Sequence, residues 1–406
     1  MNYKVFYRIT ALLALTALFA VQVEAQHHPS AFNNNGVLAY KAGKYAEAIS
    51  YFERAYSHAP DSSVVRRNLC NAYQSEANTQ ALQGNFSRAI RYLEAAIGVD
   101  PENASPFIQL GSYYLRTDNL LEGIEHLEEA ITLKPGDLDA HDLLGQAYYM
   151  DNDLSSARAQ WDYVLEVAPD RPGLQERYEK AFREESVEYD FNRWKSRHFR
   201  ISYPKDVPNA IRSNVFTILD RAYVNIGRKF GGIYPPPPIH VILYTADQFS
   251  EATQLEDHVG AVYDGKIRAP LTDTNGDWLP DRELERRLTH EYVHVVVRHI
   301  TGQNVPWWVN EGLAETMSKS LSPPDIQQLR QYFADADSFS LQDLEANQIK
   351  RLAPDVLKLA YIQSHAAVEL LWNRYGRTKM ISFLRALGRD MTSEDALRAA
   401  YRRGHA

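Results

Sequence analysis

Cysteine is almost absent from this chain. Cys70 is the single one in 406 residues, so no intrachain disulfide can form. Length makes that tolerable, because a chain this long can stabilise itself by apolar burial without cross-links. A surplus of basic charge is also missing. Lys and Arg number 44 against 52 Asp and Glu, a net charge of −8, which argues against general affinity for nucleic acids. The apolar stretch Ile9 to Val21 falls short of the ~20 residues that a membrane-spanning helix needs. Nor is the chain poor in apolar residues: 45% hydrophobic and 24% charged exclude wholesale disorder. The length itself points to two domains plus accessory segments.

The start of the chain has the layout of a secretory signal peptide. Lys4 and Arg8 precede the apolar stretch, and Val23-Glu24-Ala25 forms a small-x-small site before Gln26. Residues 1–25 are therefore expected to be a signal peptide, and the mature protein to be exported, periplasmic or secreted. Membrane association is expected only if this segment stays uncleaved as an anchor. No cysteine follows the stretch, so nothing there supports lipid attachment.

The first half repeats. Pro60, Pro101, Pro135 and Pro169 are spaced by 41, 34 and 34 residues. Gly36, Ala77, Gly111 and Gly145 each precede one of these prolines by 24 residues. In the same phase follow the small residues Ala48, Ala89, Gly123 and Ala157, then the large Phe52, Leu93, Leu127 and Trp161. Small residues let two antiparallel helices approach, large ones fill the space between them, and proline ends the second helix. The seven extra residues before Pro101 predict lengthened helices near Gln74 to Leu82. Cys70 is expected to be a small buried residue of this region. Period and phase resemble the tetratricopeptide repeat, of which four copies are expected within residues 26–172. That resemblance implies an N-terminal all-α tetratricopeptide solenoid whose concave surface binds a protein partner or a peptide; holding a neighbouring domain is the plainer role. Residues 173–190, with the charged stretch Leu174 to Glu188, are expected to form a linking or capping helix with a polar outer face.

The pattern changes from residue 191 to the end. His198 to Tyr203 alternates as a strand does, and Pro204 stops it. Ala210 to Phe230 has helical periodicity. Ile239 to Tyr244 is rich in strand formers, Asp247 begins a helix, and Gly260 to Leu271 turns at Asp264-Gly265 as a hairpin or edge strand. Mostly helical sequence follows, so residues 191–406 are expected to form an α+β domain.

Within it lies His290-Glu291-Tyr292-Val293-His294. Four residues exceed one helical turn slightly, so both imidazoles leave the same helix face and can clamp one zinc ion. Glu291 stands beside them, placed to take a proton from zinc-bound water. The helix is apolar nearly all round, through Leu284, Leu288, Val293 and Val295 to Val297; buried His and Glu are costly there unless a metal pairs with them. Asp281 is placed to cap its start and Gly302 to end it. His299 has no partner at ligand spacing and is expected to be a surface or packed histidine.

Sixteen residues separate His294 from Glu311, in Trp307-Trp308-Val309-Asn310-Glu311-Gly312-Leu313-Ala314-Glu315. This W-x-N-E-G-x-A segment resembles the third-ligand helix of gluzincin metallopeptidases, within the peptidase-MA-like group. The resemblance implies a zincin-like (gluzincin) domain that hydrolyses peptide bonds of a protein or peptide substrate. It also implies one Zn2+ held by His290, His294 and Glu311, with Glu291 as general base. Glu315 would hydrogen-bond the outer nitrogen of a ligand histidine. Tyr361, followed by Ser364, would supply the donor that stabilises the oxyanion. The edge strand would pair with an extended substrate. The spacer is shorter than in gluzincin aminopeptidases, and no motif for binding a substrate N-terminus is present.

Asp273, Asn275 and Asp277 alternate like the front of a calcium loop, although Trp278 and Leu284 occupy positions that such a loop gives to Gly and Glu. Ca2+ there is the secondary expectation, an acidic turn the plain one. The rival to an enzyme is a catalytically inactive, repeat-based protein-binding scaffold.

Overall fold

The computed structural model describes residues 29–402 apart from 118, 256–260, 303, 335–338, 346–348 and 350–351. The expected signal peptide and Gly260 lie outside the described residues. The chain divides into two compact units. The first takes it to Tyr149 and adds Ala159–Asp170; the second is Met150–Arg158 with Arg171 onward.

Helices pair through the first unit: α1 (Pro29–Lys41) with α2 (Tyr45–His58), α3 (Ser63–Leu82) with α4 (Phe86–Val99), and α5 (Ala104–Arg116) with α6 (Leu120–Leu133). Two more, α7 (Leu138–Met150) and α8 (Leu154–Val167), follow at the same spacing. Each repeat proline stands two residues beyond the second helix of a pair, where its missing N–H costs nothing. The small–large pairing has a direct steric cause. A Cβ on Gly111 would lie 2.4 Å from Leu127, and one on Gly145 2.4 Å from Trp161. The extra residues before Pro101 lengthen α3 to 20 residues, against 14 in α4. Ser62 caps α3 by accepting from the Val65 N–H. Cys70 is fully buried among Ala39, Phe52, Leu69 and Ala96.

The second unit is built on a mixed five-stranded sheet. Its strands are β1 (Asn192–Lys195), β2 (Phe199–Tyr203), β3 (Ile239–Tyr244), β4 (Val262–Tyr263) and β5 (Ile267–Pro270), in the order β1-β2-β3-β5-β4. The β2–β3 and β3–β5 pairs are parallel; β1–β2 and β4–β5 are antiparallel. Central β3 is buried along its whole length, as its unbroken apolar run requires. Ile239, Val241 and Leu243 join a core with α10 (Asn209–Lys229) and α12 (Asp281–Thr301). Ile242 and Tyr244 face the other way, against Val187 of α9 (Leu174–Glu188) and Phe249 of α11 (Ala246–Thr253). A capping box through Thr245 and Gln248 starts α11. Helices α13 (Trp307–Ser318), α14 (Pro323–Ala334), α15 (Pro354–Leu387, interrupted at Gly376) and α16 (Ser393–Tyr401) complete the unit.

The structure bears on three expectations, of which it overturns the Asp281 cap and gives the Asp273–Asp277 segment its plain reading. Helix α9 falls within the second unit; it keeps a polar outer face through Gln175, Glu176, Glu179 and Ser186 but also buries two carboxylates, Glu184 and Glu188. Asp281 does not cap α12. The cap position is Pro280, and the Asp281 carboxylate accepts from the Asn214 amide at 2.7 Å. The Asp273–Asp277 segment is a tight turn. Asp273 Oδ1 accepts the N–H groups of Asn275 and Asp277 at 2.9 and 3.0 Å, so the carboxylate expected to bind Ca2+ serves the turn. Gly302 ends α12 as expected, with φ 63°. No described helix is long and apolar enough to cross a membrane.

Candidate metal centre

The middle of α12 packs on α13, and α15 covers α13. Gly312 permits that covering. A Cβ there would lie 2.4 Å from the Ser364 carbonyl oxygen, so a side chain would push α15 and its Tyr361 away. The glycine beside Glu311 is thus explained by helix packing.

His290 and His294 project together from α12, their ring centroids 4.9 Å apart. Their Nε2 atoms lie 3.5 and 3.6 Å from the same Oε2 of Glu311. Donors held at ~2.0–2.2 Å around a tetrahedral centre are separated by about 3.4 Å, so each imidazole stands from Glu311 at the spacing of two ligands to one ion. Glu291 belongs to the same cluster: one donor atom from each of His290, Glu291 and His294 lies within 4.8 Å of the others. Among the described residues this is the only group of three His, Cys, Asp or Glu with metal-holding proximity; Asp273, Asp277 and Asp281 form none. Glu291, His294 and Glu311 are buried, and His290 is nearly so.

The outer nitrogen of His290, Nδ1, is 3.3 Å from Glu315 Oε1. Glu315 is also held by Lys319, one turn further along. The Glu315 carboxyl resists burial, which would raise it, and is held down at about 2 by His290 and Lys319. The His290 ring shows the reverse. Burial opposes its charge, yet the carboxylates of Glu311, Glu315 and Glu291 raise it to about 10. Three carboxylates against one ammonium at contact distance leave negative charge in excess when both imidazoles are neutral, with the Arg286 guanidinium acting on Glu291 and Glu315 from further off. The donor set therefore fits a divalent ion, and zinc best, since imidazole nitrogen and carboxylate oxygen are its ordinary ligands.

Tyr361 stands at the same cluster. Burial, then Glu311, Glu315 and Glu291, push its phenol well above its ordinary range, and its ring packs edge-on against Trp307 at 5.0 Å. Ser364 is fully buried one turn on. His299 lies in the last turn of α12, away from the His290–His294 cluster by sequence spacing.

Sequence reasoning missed His365 and Lys319. His365 is buried at 1% exposure, and its Nε2 has no hydrogen-bond partner among the described residues. Burial lowers its basicity, with Glu315 the first of the charges opposing this. Its signal was the i, i+4 spacing from Tyr361, as that of Lys319 was the same spacing from Glu315.

Comparison with known proteins agrees with this architecture. Residues 237–404 match the family model of the Peptidase MA superfamily. Tetratricopeptide repeat models match residues 28–102, 76–137 and 108–172. The chain carries a Peptidase MA superfamily domain downstream of tetratricopeptide repeats. Among curated proteins it is similar to anaphase-promoting complex subunit CDC16 of Saccharomyces cerevisiae, 25% identical over 127 residues, 31% of this chain and 15% of that one. It is also similar to the TPR repeat-containing thioredoxin TTL4 of Arabidopsis thaliana, 30% identical over 92 residues, 23% of this chain and 12% of that one. The chain thus spans only a small part of either relative. Among solved structures, the first TPR of Spaghetti (RPAP3) bound to an HSP90 peptide matches with TM-score 0.27 and 20% identity, over 28% of this chain and 90% of that one.

Proposed function

We propose that the second unit is a zincin-like, gluzincin-type metallopeptidase that hydrolyses peptide bonds with one zinc ion held by His290, His294 and Glu311. The observation that carries this reading is the convergence of both imidazole Nε2 atoms on Glu311 Oε2, at 3.5 and 3.6 Å. The match of residues 237–404 to the Peptidase MA superfamily supports it independently. Zinc, when bound, supplies Lewis acidity that makes water a nucleophile near neutral pH.

The protein's own groups do the rest. His290 Nε2, His294 Nε2 and Glu311 Oε2 bind and orient. Glu315 Oε1, 3.3 Å from His290 Nδ1, is placed to accept from it once the ring is aligned by coordination, which would favour the tautomer that leaves Nε2 free to coordinate. The Glu291 carboxylate takes the proton from the attacking water and delivers it to the leaving amine nitrogen. The Tyr361 hydroxyl donates to the carbonyl oxygen as negative charge gathers there. Burial of Glu291 and Glu311 strengthens each of these interactions by excluding water.

In this reading residues 1–25 direct export to the periplasm or beyond and are removed. The repeats, residues 26–172, bind a protein partner or present the substrate; 173–190 link, and 191–406 form the catalytic domain. The family matches support repeat-mediated protein binding of this general kind.

The deciding experiment is elemental analysis of the wild type and Glu311→Ala, each followed by a peptide-cleavage assay. The expected outcome is about one zinc per wild-type chain, much reduced in the variant, with cleavage lost. Wild-type protein that takes up no zinc after reconstitution would refute the proposal and leave the repeats as the working part.

A further inference from the structure

A second feature of the second unit points to a ligand of its own. A cavity of about 1160 Å³ lies between the C-terminal half of α10, the first turns of α12, and the chain from the end of α13 into α14. Six cations line it: Arg221, Arg228, Lys229, Arg282, Arg286 and Lys319. Three carboxylates, Glu283, Glu285 and Asp325, also line it, which leaves an excess of positive charge in a chain whose net charge is −8.

The carboxylates do not answer these cations evenly. Glu283 is committed to Arg286 at 2.7 Å and Arg287 at 2.6 Å. Asp325 accepts from the Ser322 hydroxyl at 2.5 Å and its N–H at 3.2 Å. Lys319 is committed to Glu315. The side chains of Arg221, Arg228, Lys229 and Arg282 form no ion pair or hydrogen bond among the described residues. Burial also lowers the basicity of the Lys229 ammonium, and no carboxylate offsets this.

Spacing aims these groups together. Arg221 and Arg228 are seven residues apart and share one face of α10, with Asn225 between them. Arg282 and Arg286 are four apart and share one face of α12, followed by Thr289 at the same cavity. Unpaired guanidinium groups on two helix faces of one cavity suit the tetrahedral oxygens of phosphate, which accept forked N–H donors. The space, about 1160 Å³ and open to solvent, is far more than a single ion fills.

We infer that this cavity binds a phosphate-bearing ligand carrying more than one negative charge, gripped by Arg221 and Arg228 from α10 and by Arg282 from α12. The inference stands apart from the metal centre, since neither the cavity's ligand nor its readout involves zinc. The two are nevertheless neighbours: Lys319 lines the cavity and holds Glu315, which holds His290.

The test uses the full chain. Pyrophosphate binding is measured by calorimetry at fixed ionic strength for the wild type, Arg221→Ala, Arg282→Ala and, as a control outside the cavity, Arg389→Ala. Co-sedimentation with phosphatidylcholine vesicles, with and without phosphatidic acid, is measured for the same proteins. Pyrophosphate binding that weakens at least about tenfold in both cavity variants and persists in the control supports a soluble phosphate ligand. Sedimentation that requires phosphatidic acid and fails in both cavity variants, without pyrophosphate binding, supports a lipid headgroup. Absence of both kinds of binding, or equal weakening in Arg389→Ala, overturns the inference. Circular dichroism confirms that the variants fold, which is expected because Arg221 and Arg282 are exposed.

Discussion

The second unit buries two clusters of charged side chains, and their charge balance differs. In the first, between α9 and β5, Glu184, Glu188 and Asp264 meet Lys180, Lys266 and Arg268. Arg268 donates to Glu184 at 2.7 Å and to Asp264 at 3.2 Å; Lys180 donates to Asp264 at 2.6 Å. Lys266 donates to Asn152 at 2.7 Å; Asn152 and Tyr244 donate to Glu188 at 3.0 and 2.5 Å. Among the described residues, three anions face three cations. In the second cluster, among the described residues, Glu291, Glu311 and Glu315 face Lys319 and two imidazoles at close range, with Arg286, already held by Glu283, acting on Glu291 and Glu315 from further off. A buried cluster that closes on itself holds elements together and needs no guest. One in which carboxylates outnumber the cations at contact distance suits a cation, and the same carboxylates raise His290 to about 10. Burial alone did not mark the functional site; the missing positive charge did.

The sharpest break in this comparison comes from Glu291→Gln. The amide keeps size and leaves His290, His294 and Glu311 in place, but cannot carry the proton. Zinc content is expected to stay near one per chain while kcat/KM falls by about 10²–10⁴. Wild-type turnover in this variant would remove Glu291 from the mechanism. Glu184→Ala, in the closed cluster, should do the opposite. It withdraws the carboxylate facing Arg268 and Lys266, both about 1% exposed, at an expected stability cost of about 3–5 kcal/mol in urea unfolding. Folded Glu184→Ala should still bind one zinc.

Much of this comparison was written in the sequence, though unevenly. The open cluster was legible because His290, Glu291 and His294 are local in sequence, and Glu311 and Glu315 lie one helix later at helical spacing. The repeat was legible because the same steric problem recurs with period 34. The closed cluster was hidden. Glu184 and its partner Arg268 are 84 residues apart, and Leu174 to Glu188 reads as a solvated face until the sheet is placed against it. Strand β1 escaped for a related reason. Asn192–Lys195 contains one apolar residue, Trp194, and owes its strand form to pairing with β2. Asp281 misled because a carboxylate near a helix start satisfies the capping pattern, whereas Pro280 begins this helix and Asn214 claims the side chain.

Glu315→Gln probes the outer edge of the open cluster. Glu315 touches His290 Nδ1 and Lys319 and is no part of the three-donor set, so the substitution should weaken zinc without abolishing it. The expected change is about 10–100-fold in zinc affinity, read by chelator competition, with kcat on the loaded protein far less affected. An unchanged affinity would reduce Glu315 to an ion-pair partner of Lys319 and shift the orienting role elsewhere.

The smallest expected effect tests the closed cluster by pH. Burial acts to raise the Asp264 carboxyl, but Arg268 and Lys180 outweigh it and hold it at about 2 in the folded chain, below its ordinary value of 3.8. A carboxyl depressed by folding contributes stability above its unfolded pKa and loses it as pH falls through the folded one. Its contribution should therefore be complete above about pH 5 and fade between about pH 4 and 2. Asp264 is 26% exposed, so screening trims the effect to about 1 kcal/mol. Urea unfolding of the wild type and Asp264→Asn should differ by that amount near neutrality and converge near pH 2. The difference should be the same with and without chelator, because a cluster whose charges already balance has no use for the metal. A chelator-dependent difference would join the two clusters into one system and undo the distinction between them.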